Sequence, residues 1–177
     1  MLRARALVTC LAVWLFLGVV SPGRASAQGG PLVTCSGEAA SRYTPGLVLL
    51  QPRDVYFTGF GDLSTCAVSD GAVSSATYFE GLALQGATCL VNVSPTVATV
   101  SWSNGETSTL TVTGVEVNVV GALQVYTSVG FVATGRYQGH VVNVVRTFVA
   151  LDRLLACLSP QGLTGMSGGA TLTVLGL

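Results

Sequence analysis

Thr96-Val97-Ala98-Thr99-Val100-Ser101-Trp102-Ser103-Asn104-Gly105-Glu106-Thr107-Ser108-Thr109-Leu110-Thr111-Val112 is the stretch that decides the fold class. Ala98, Val100 and Trp102 alternate with Val97, Thr99 and Ser101. Beyond Asn104-Gly105, Ser108, Leu110 and Val112 alternate with Thr107, Thr109 and Thr111. A period of two is the signature of a strand, and Asn-Gly between two such runs is the strongest short-range hairpin signal. Parity then selects the loop. A two-residue turn would set Trp102 against Thr107 and place the two apolar sets on opposite faces. A three-residue loop, Ser103-Asn104-Gly105 with Gly105 in the left-handed region, pairs Trp102 with Glu106, Val100 with Ser108 and Ala98 with Leu110, so that the apolar sets share one face. Because a one-residue slip turns every side chain over, the three-residue loop is expected, with Trp102 in the core.

Working outward, the apolar phase changes after Thr113-Gly114, and Val115, Val117 and Val119 take over, which predicts a bulge or bend at Gly114. Gly121 separates that run from Leu123, Val125, Val129 and Phe131 and predicts a second hairpin. Val141 to Ala150 is apolar on both faces apart from Asn143, Arg146 and Thr147 and reads as a central strand. Ala170 to Leu175 reads as a last short strand, and earlier ones are expected at Leu47 to Leu50, Asp54 to Phe60, Ala76 to Leu84 and Ala87 to Val93. The best helical candidate, Leu151 to Leu158, is barely two turns. Roughly seven to ten strands with Gly-rich turns predict an all-β chain: a single antiparallel β-sandwich, Ig-like or related, with a closed β-barrel as the second choice.

The amino terminus reads as an export signal. Arg3 and Arg5 precede an apolar run from Ala6 to Val20, Ser21-Pro22-Gly23 breaks it, and Ala25-Ser26-Ala27 is a small-x-small cleavage site. Residues 1–27 are therefore expected to be a Sec signal peptide, and 28–177 a single disulfide-stapled domain that is secreted and extracellular. No second apolar span, polybasic tail or carboxy-terminal anchor follows, so no membrane insertion is expected after cleavage. From Gln28 onward there is no Lys, and five Arg stand against eight acids. That acidic balance gives a nucleic-acid backbone little to attract it.

Once Cys10 leaves with the signal, Cys35, Cys66, Cys89 and Cys157 remain, and an even number in an exported chain predicts two disulfides. Three pairings are open; Cys35 with Cys66 and Cys89 with Cys157 is preferred because it threads no loop through another. A metal site is not expected, since there is no Cys-x-x-Cys spacing and His140 is the only histidine. Nothing points to a cofactor.

Gly165-Met166-Ser167-Gly168-Gly169 matches Gly-x-Ser-x-Gly by letter, and His140, Asp152 and Ser167 follow the chymotrypsin order. A hydrolase elbow needs its acid and His after the Ser, and only ten residues follow Ser167, none of them Asp or His. The segment is better read as a Gly-rich turn before the last strand. No catalytic residue is assigned, and a small secreted serine hydrolase using Ser167 is kept as the alternative function. Arg136, Tyr137 and His140 form the most polar and aromatic turn among the later strands and are taken as a candidate ligand-facing loop.

Val33-Thr34-Cys35-Ser36-Gly37, Tyr43-Thr44-Pro45-Gly46, the Ser101 to Ser108 hairpin, Gly135-Arg136-Tyr137-Gln138-Gly139 and the late Cys157 resemble a group of uncharacterised secreted actinobacterial proteins. The resemblance spans most of the chain after the signal and implies a four-cysteine β-sandwich, with no activity attached. The function expected is therefore a secreted, non-catalytic binding or interaction module, not an enzyme, whose partner is an extracellular protein, a glycan or a small ligand.

Overall fold

A computed structural model of the chain describes residues 30–68, 71–90 and 95–176. The expected signal peptide, residues 1–27, lies outside them. The described residues form strands β1 (Pro31–Leu47), β2 (Arg53–Val68), β3 (Ala76–Ala87), β4 (Thr96–Trp102), β5 (Thr107–Val120), β6 (Leu123–Gly135), β7 (Val141–Val149) and β8 (Leu163–Leu175), with helix α1 (Ala150–Leu158) between the last two. Each strand pairs antiparallel with its neighbour in sequence, and β1 also pairs with β8, so the sheet closes into a barrel. The chain is thus all-β as expected, in the closed form and not the sandwich. Hairpin signals specify neighbouring pairs alike in both architectures. The difference lies in the seam that sets Val33 to Arg42 against Val174 to Gly165, a contact between chain ends that no local pattern announces.

The deciding hairpin has the predicted register. Ala98 faces Leu110, Val100 faces Ser108, and Trp102 N donates to Glu106 O at 2.9 Å. Gly105 carries a φ of 86°, the left-handed conformation that the three-residue loop requires. Trp102 is 3 % exposed, and its Nε1 donates to Ser108 Oγ at 2.8 Å. The β5–β6 register shifts between Val112 and Gly114, and Val120 pairs with Leu123 across Gly121, as the phase change and the second glycine predict.

Elsewhere the elements differ from expectation. The strand expected at Leu47 to Leu50 is only the end of β1; the interior face of β1 carries Ala39 and Ser41 between Cys35 and Tyr43, which blurs its apolar period. Instead of a strand from Ala87 to Val93, β3 ends at Ala87 and no strand follows over Thr88–Leu90, the remainder lying outside the described residues. The Gly-rich turn expected at Gly165 to Gly169 is part of β8. There Gly168 is paired with Ala39, and a Cβ on it would lie 1.9 Å from the Thr147 carbonyl oxygen, so the glycine reflects close strand approach and not a turn.

The upper end of the barrel carries the β4–β5 and β6–β7 turns, and the lower end carries α1. Two apolar clusters fill the interior. The upper one contains Leu63, Val100, Trp102, Leu110, Leu172 and Val174; the lower one contains Tyr43, Leu47, Val55, Leu84 and Leu163. Each is stapled by a disulfide, Cys35–Cys66 above and Cys89–Cys157 below, the pairing preferred on threading grounds. The second bridge ties α1 to the end of β3, and α1 turns Cys157 inward while Leu151, Leu154, Leu155 and Leu158 stay exposed.

Candidate functional site

Between the two apolar clusters the lumen is polar. Glu80 of β3 and Arg146 of β7 lie on opposite walls and form an ion pair across the interior, with Glu80 2 % and Arg146 9 % exposed. Arg146 also donates to Ser128 Oγ at 3.3 Å. Room for the carboxylate comes from Gly59, where a Cβ would lie 2.5 Å from Glu80 Oε1. Burial works against the charge on Arg146, but Glu80 and Tyr78 beside it outweigh that and raise its pKa. Burial likewise pushes the phenols of Tyr43 and Tyr78 above their ordinary value, with Tyr126 adding to the shift at Tyr43 and the Glu80 charge adding at Tyr78. Two of these residues were visible by parity: Glu80 shares the phase of Tyr78, Leu82 and Leu84, and Arg146 that of Val142, Val144 and Phe148. A charge on the apolar phase of two strands is the signal that a count of Arg against acids passes over.

Below this layer the wall is incomplete among the described residues. β4 pairs with β3 only over Ala76 to Glu80 and with β5 only over Thr107 to Val112. The lower halves of β3 and β5 therefore have no strand between them among the described residues. The slip between Val112 and Gly114 sets Val115 and Val117 opposite the inward-facing Ser128 and Tyr126. The result is a cavity of about 300 Å³ lined by Leu90, Val115, Val117, Gln124, Tyr126 and Arg153, with Cys89 at its edge. Arg153, on the inner side of α1, donates to Gln124 Oε1 at 2.9 Å and to the Cys89 carbonyl. Arg153 Nε and the hydroxyl of Tyr126, a residue 6 % exposed, are both buried without a hydrogen-bond partner among the described residues. Burial raises the Tyr126 pKa against the opposing pull of Arg153 and Arg146.

Two further cavities flank α1 and the seam. One of about 190 Å³ lies between β7, α1 and β8 and is lined by Phe148, Asp152, Arg153, Met166 and Ser167. The larger, about 670 Å³, is a wide groove where β1 advances five positions, from Arg42 to Leu47, while β8 moves only two, from Gly165 to Leu163. Its walls are Arg42 to Gly46 and Thr164 to Ser167. Size alone does not mark it as the site: the cavity beside β5 is lined by two residues, Tyr126 and Arg153, that each carry a buried polar atom without a partner among the described residues, and a binding site needs such groups.

The residues singled out from sequence fall at both ends. Ser167 and Asp152 line one cavity at the lower end. His140 is at the upper end, its Nδ1 3.2 Å from Leu175 O, eight residues along β8 from Ser167 and so roughly 25 Å away. The triad order is therefore not brought together. Arg136 and Tyr137 do meet: the guanidinium lies 4.7 Å from the Tyr137 ring and pairs with Glu106, and Tyr137 packs edge-on to Trp102 at 5.3 Å. Ser108 Oγ donates to Arg136 O at 2.6 Å, so this turn is fastened to the β4–β5 hairpin over the upper core. The chain matches no protein-family model, no curated protein and no solved structure.

Proposed function

We propose that this is a secreted, non-catalytic binding module that takes a small ligand into the lower half of its barrel, outside the cell. The observation that carries the reading is the cavity beside β5, where a cation, a phenol and an amide stand beside three aliphatic side chains and two buried polar atoms have no partner among the described residues. The two disulfides favour an oxidising compartment, and among the described residues no helix is long and apolar enough to cross a membrane. The separation of His140 from Ser167 weighs against the serine-hydrolase alternative.

A thermal-shift screen of small molecules on the exported protein tests the reading. A ligand at a hundredfold excess over its Kd stabilises by about 2.7 kcal/mol, which at about 2–4 °C per kcal/mol raises Tm by about 5–11 °C. A fluorophosphonate should leave Ser167 unlabelled. Turnover of an ester, peptide or glycoside that Ser167→Ala abolishes at unchanged Tm would establish the hydrolase instead.

A further inference from the structure

We propose that the ligand of the cavity beside β5 is a small monocarboxylate with an apolar tail, its carboxylate on Arg153 and Tyr126 and its tail along Val115 and Val117; this rests on the binding reading above. Arg153 brings a full positive charge to the cavity, yet both oxygens it donates to, Gln124 Oε1 and Cys89 O, are neutral. A partly buried cation with neutral acceptors only is incompletely compensated, and an anion in reach completes it. Its Nε and the Tyr126 hydroxyl belong to two residues that line this cavity, are closed off from solvent and have no partner among the described residues, so a small shift of either side chain brings them to a ligand. A carboxylate, with two oxygens and about four lone-pair sites, accepts both, and such charge-assisted bonds are the strong ones.

The walls set the rest of the molecule. Leu90, Val115 and Val117 offer no hydrogen bonds from their side chains, which suits a hydrocarbon tail and not a sugar. A volume of about 300 Å³ limits the ligand to a small one. One cation matches one negative charge better than the two of a phosphate monoester. On the far side of Arg153 the neighbouring cavity is bordered by Asp152, whose carboxylate disfavours an anion there and leaves the β5 side as the place for it.

Calorimetric titration of the exported protein with octanoate, and with octanamide as its uncharged isostere, is the test. Octanoate should bind, and octanamide should bind at least about tenfold more weakly, the loss expected for a hydrogen bond to a charged group. Tyr126→Phe keeps the ring against Phe148, removes only the unpartnered hydroxyl, and should weaken octanoate about tenfold at unchanged Tm. Arg153→Met should bring octanoate down to the level of octanamide; because Arg153 also braces Cys89 O, the Tyr126→Phe result decides if that variant fails to fold. Equal affinities for the two probes, or an unaffected Tyr126→Phe variant, would overturn the carboxylate assignment and leave the binding reading standing. Failure of both probes while the thermal-shift screen yields another ligand overturns the assignment alone. Failure of both probes and of the whole screen overturns both.

Discussion

Cutting the ion pair in the lumen from either side should cost far more than removing it whole. In Glu80→Met, Arg146 keeps only the Ser128 hydroxyl as a partner of its guanidinium; in Arg146→Met, a carboxylate that is 2 % exposed loses its cation. Breaking a buried pair by removing one member costs about 3–5 kcal/mol, because the other charge stays buried and uncompensated. At about 2–4 °C per kcal/mol, each single variant should lose roughly 6–20 °C in Tm. Replacing both by well-packed apolar side chains of similar length removes both desolvation costs and should land within about 2 kcal/mol of the parent. The coupling energy from the cycle is then at least about 4 kcal/mol. Urea unfolding followed by the fluorescence of Trp102, the only Trp after residue 27, and by circular dichroism gives all four stabilities. Additive singles, with the double variant losing their full sum, would refute the claim that β3 and β7 are joined through the lumen. Since total stability is of the order of 5–15 kcal/mol, a single variant can come close to unfolding, and the recovery in the double variant carries the test.

Gly59→Ala should destabilise by about 1–3 kcal/mol, since the new methyl meets a Glu80 side chain that Arg146 holds in place, and the penalty should shrink in a Glu80→Ala background; equal penalties in the two would remove Glu80 as the cause. Alkali should unfold the protein through Tyr43 and Tyr78, whose folded pKa values lie above the ordinary 10.0. The unfolded chain sheds those protons first, so stability is complete below pH 10 and falls above it, by about 1.4 kcal/mol per pH unit for each phenol. Urea midpoints at pH 8, 10 and 11 measure the fall, and a flat series would contradict it.

What the sequence disclosed was local, and what it withheld was closure. The β4–β5 loop, the shift at Gly114 and the Gly121 turn follow from parity and glycine alone, because each involves residues a few positions apart. β1 was hidden by an interior face that alternates Cys35, Ala39, Ser41 and Tyr43 in place of large aliphatics. β8 was shortened in the reading because Gly165, Gly168 and Gly169 look like a turn, although close pairing with β1 and β7 explains Gly168. The candidate site was less legible still. Tyr126 and Gln124 sit in plain alternation, and only the shortness of β4 and the crossing of α1 bring Arg153 to them.

The seam between β1 and β8 sets an order of events for a chain that emerges from its amino terminus. Thr34 and Thr173, whose hydroxyls lie 3.5 Å apart across it, are 139 residues apart in sequence, whereas the β1–β2 connection spans residues 48–52 and the β7–β8 connection, with α1 in it, residues 150–162. Closing a loop ten times longer adds only about 2 kcal/mol of entropy, so the seam is affordable in equilibrium terms. Its demand is on time: β1 is made first, finds β2 at once, and holds its other edge unpaired until β8 exists. A strand of seventeen residues with a bare edge is a template for other chains. Crowded nascent copies should therefore join through that edge, and the risk ends for each molecule only when its last strand arrives.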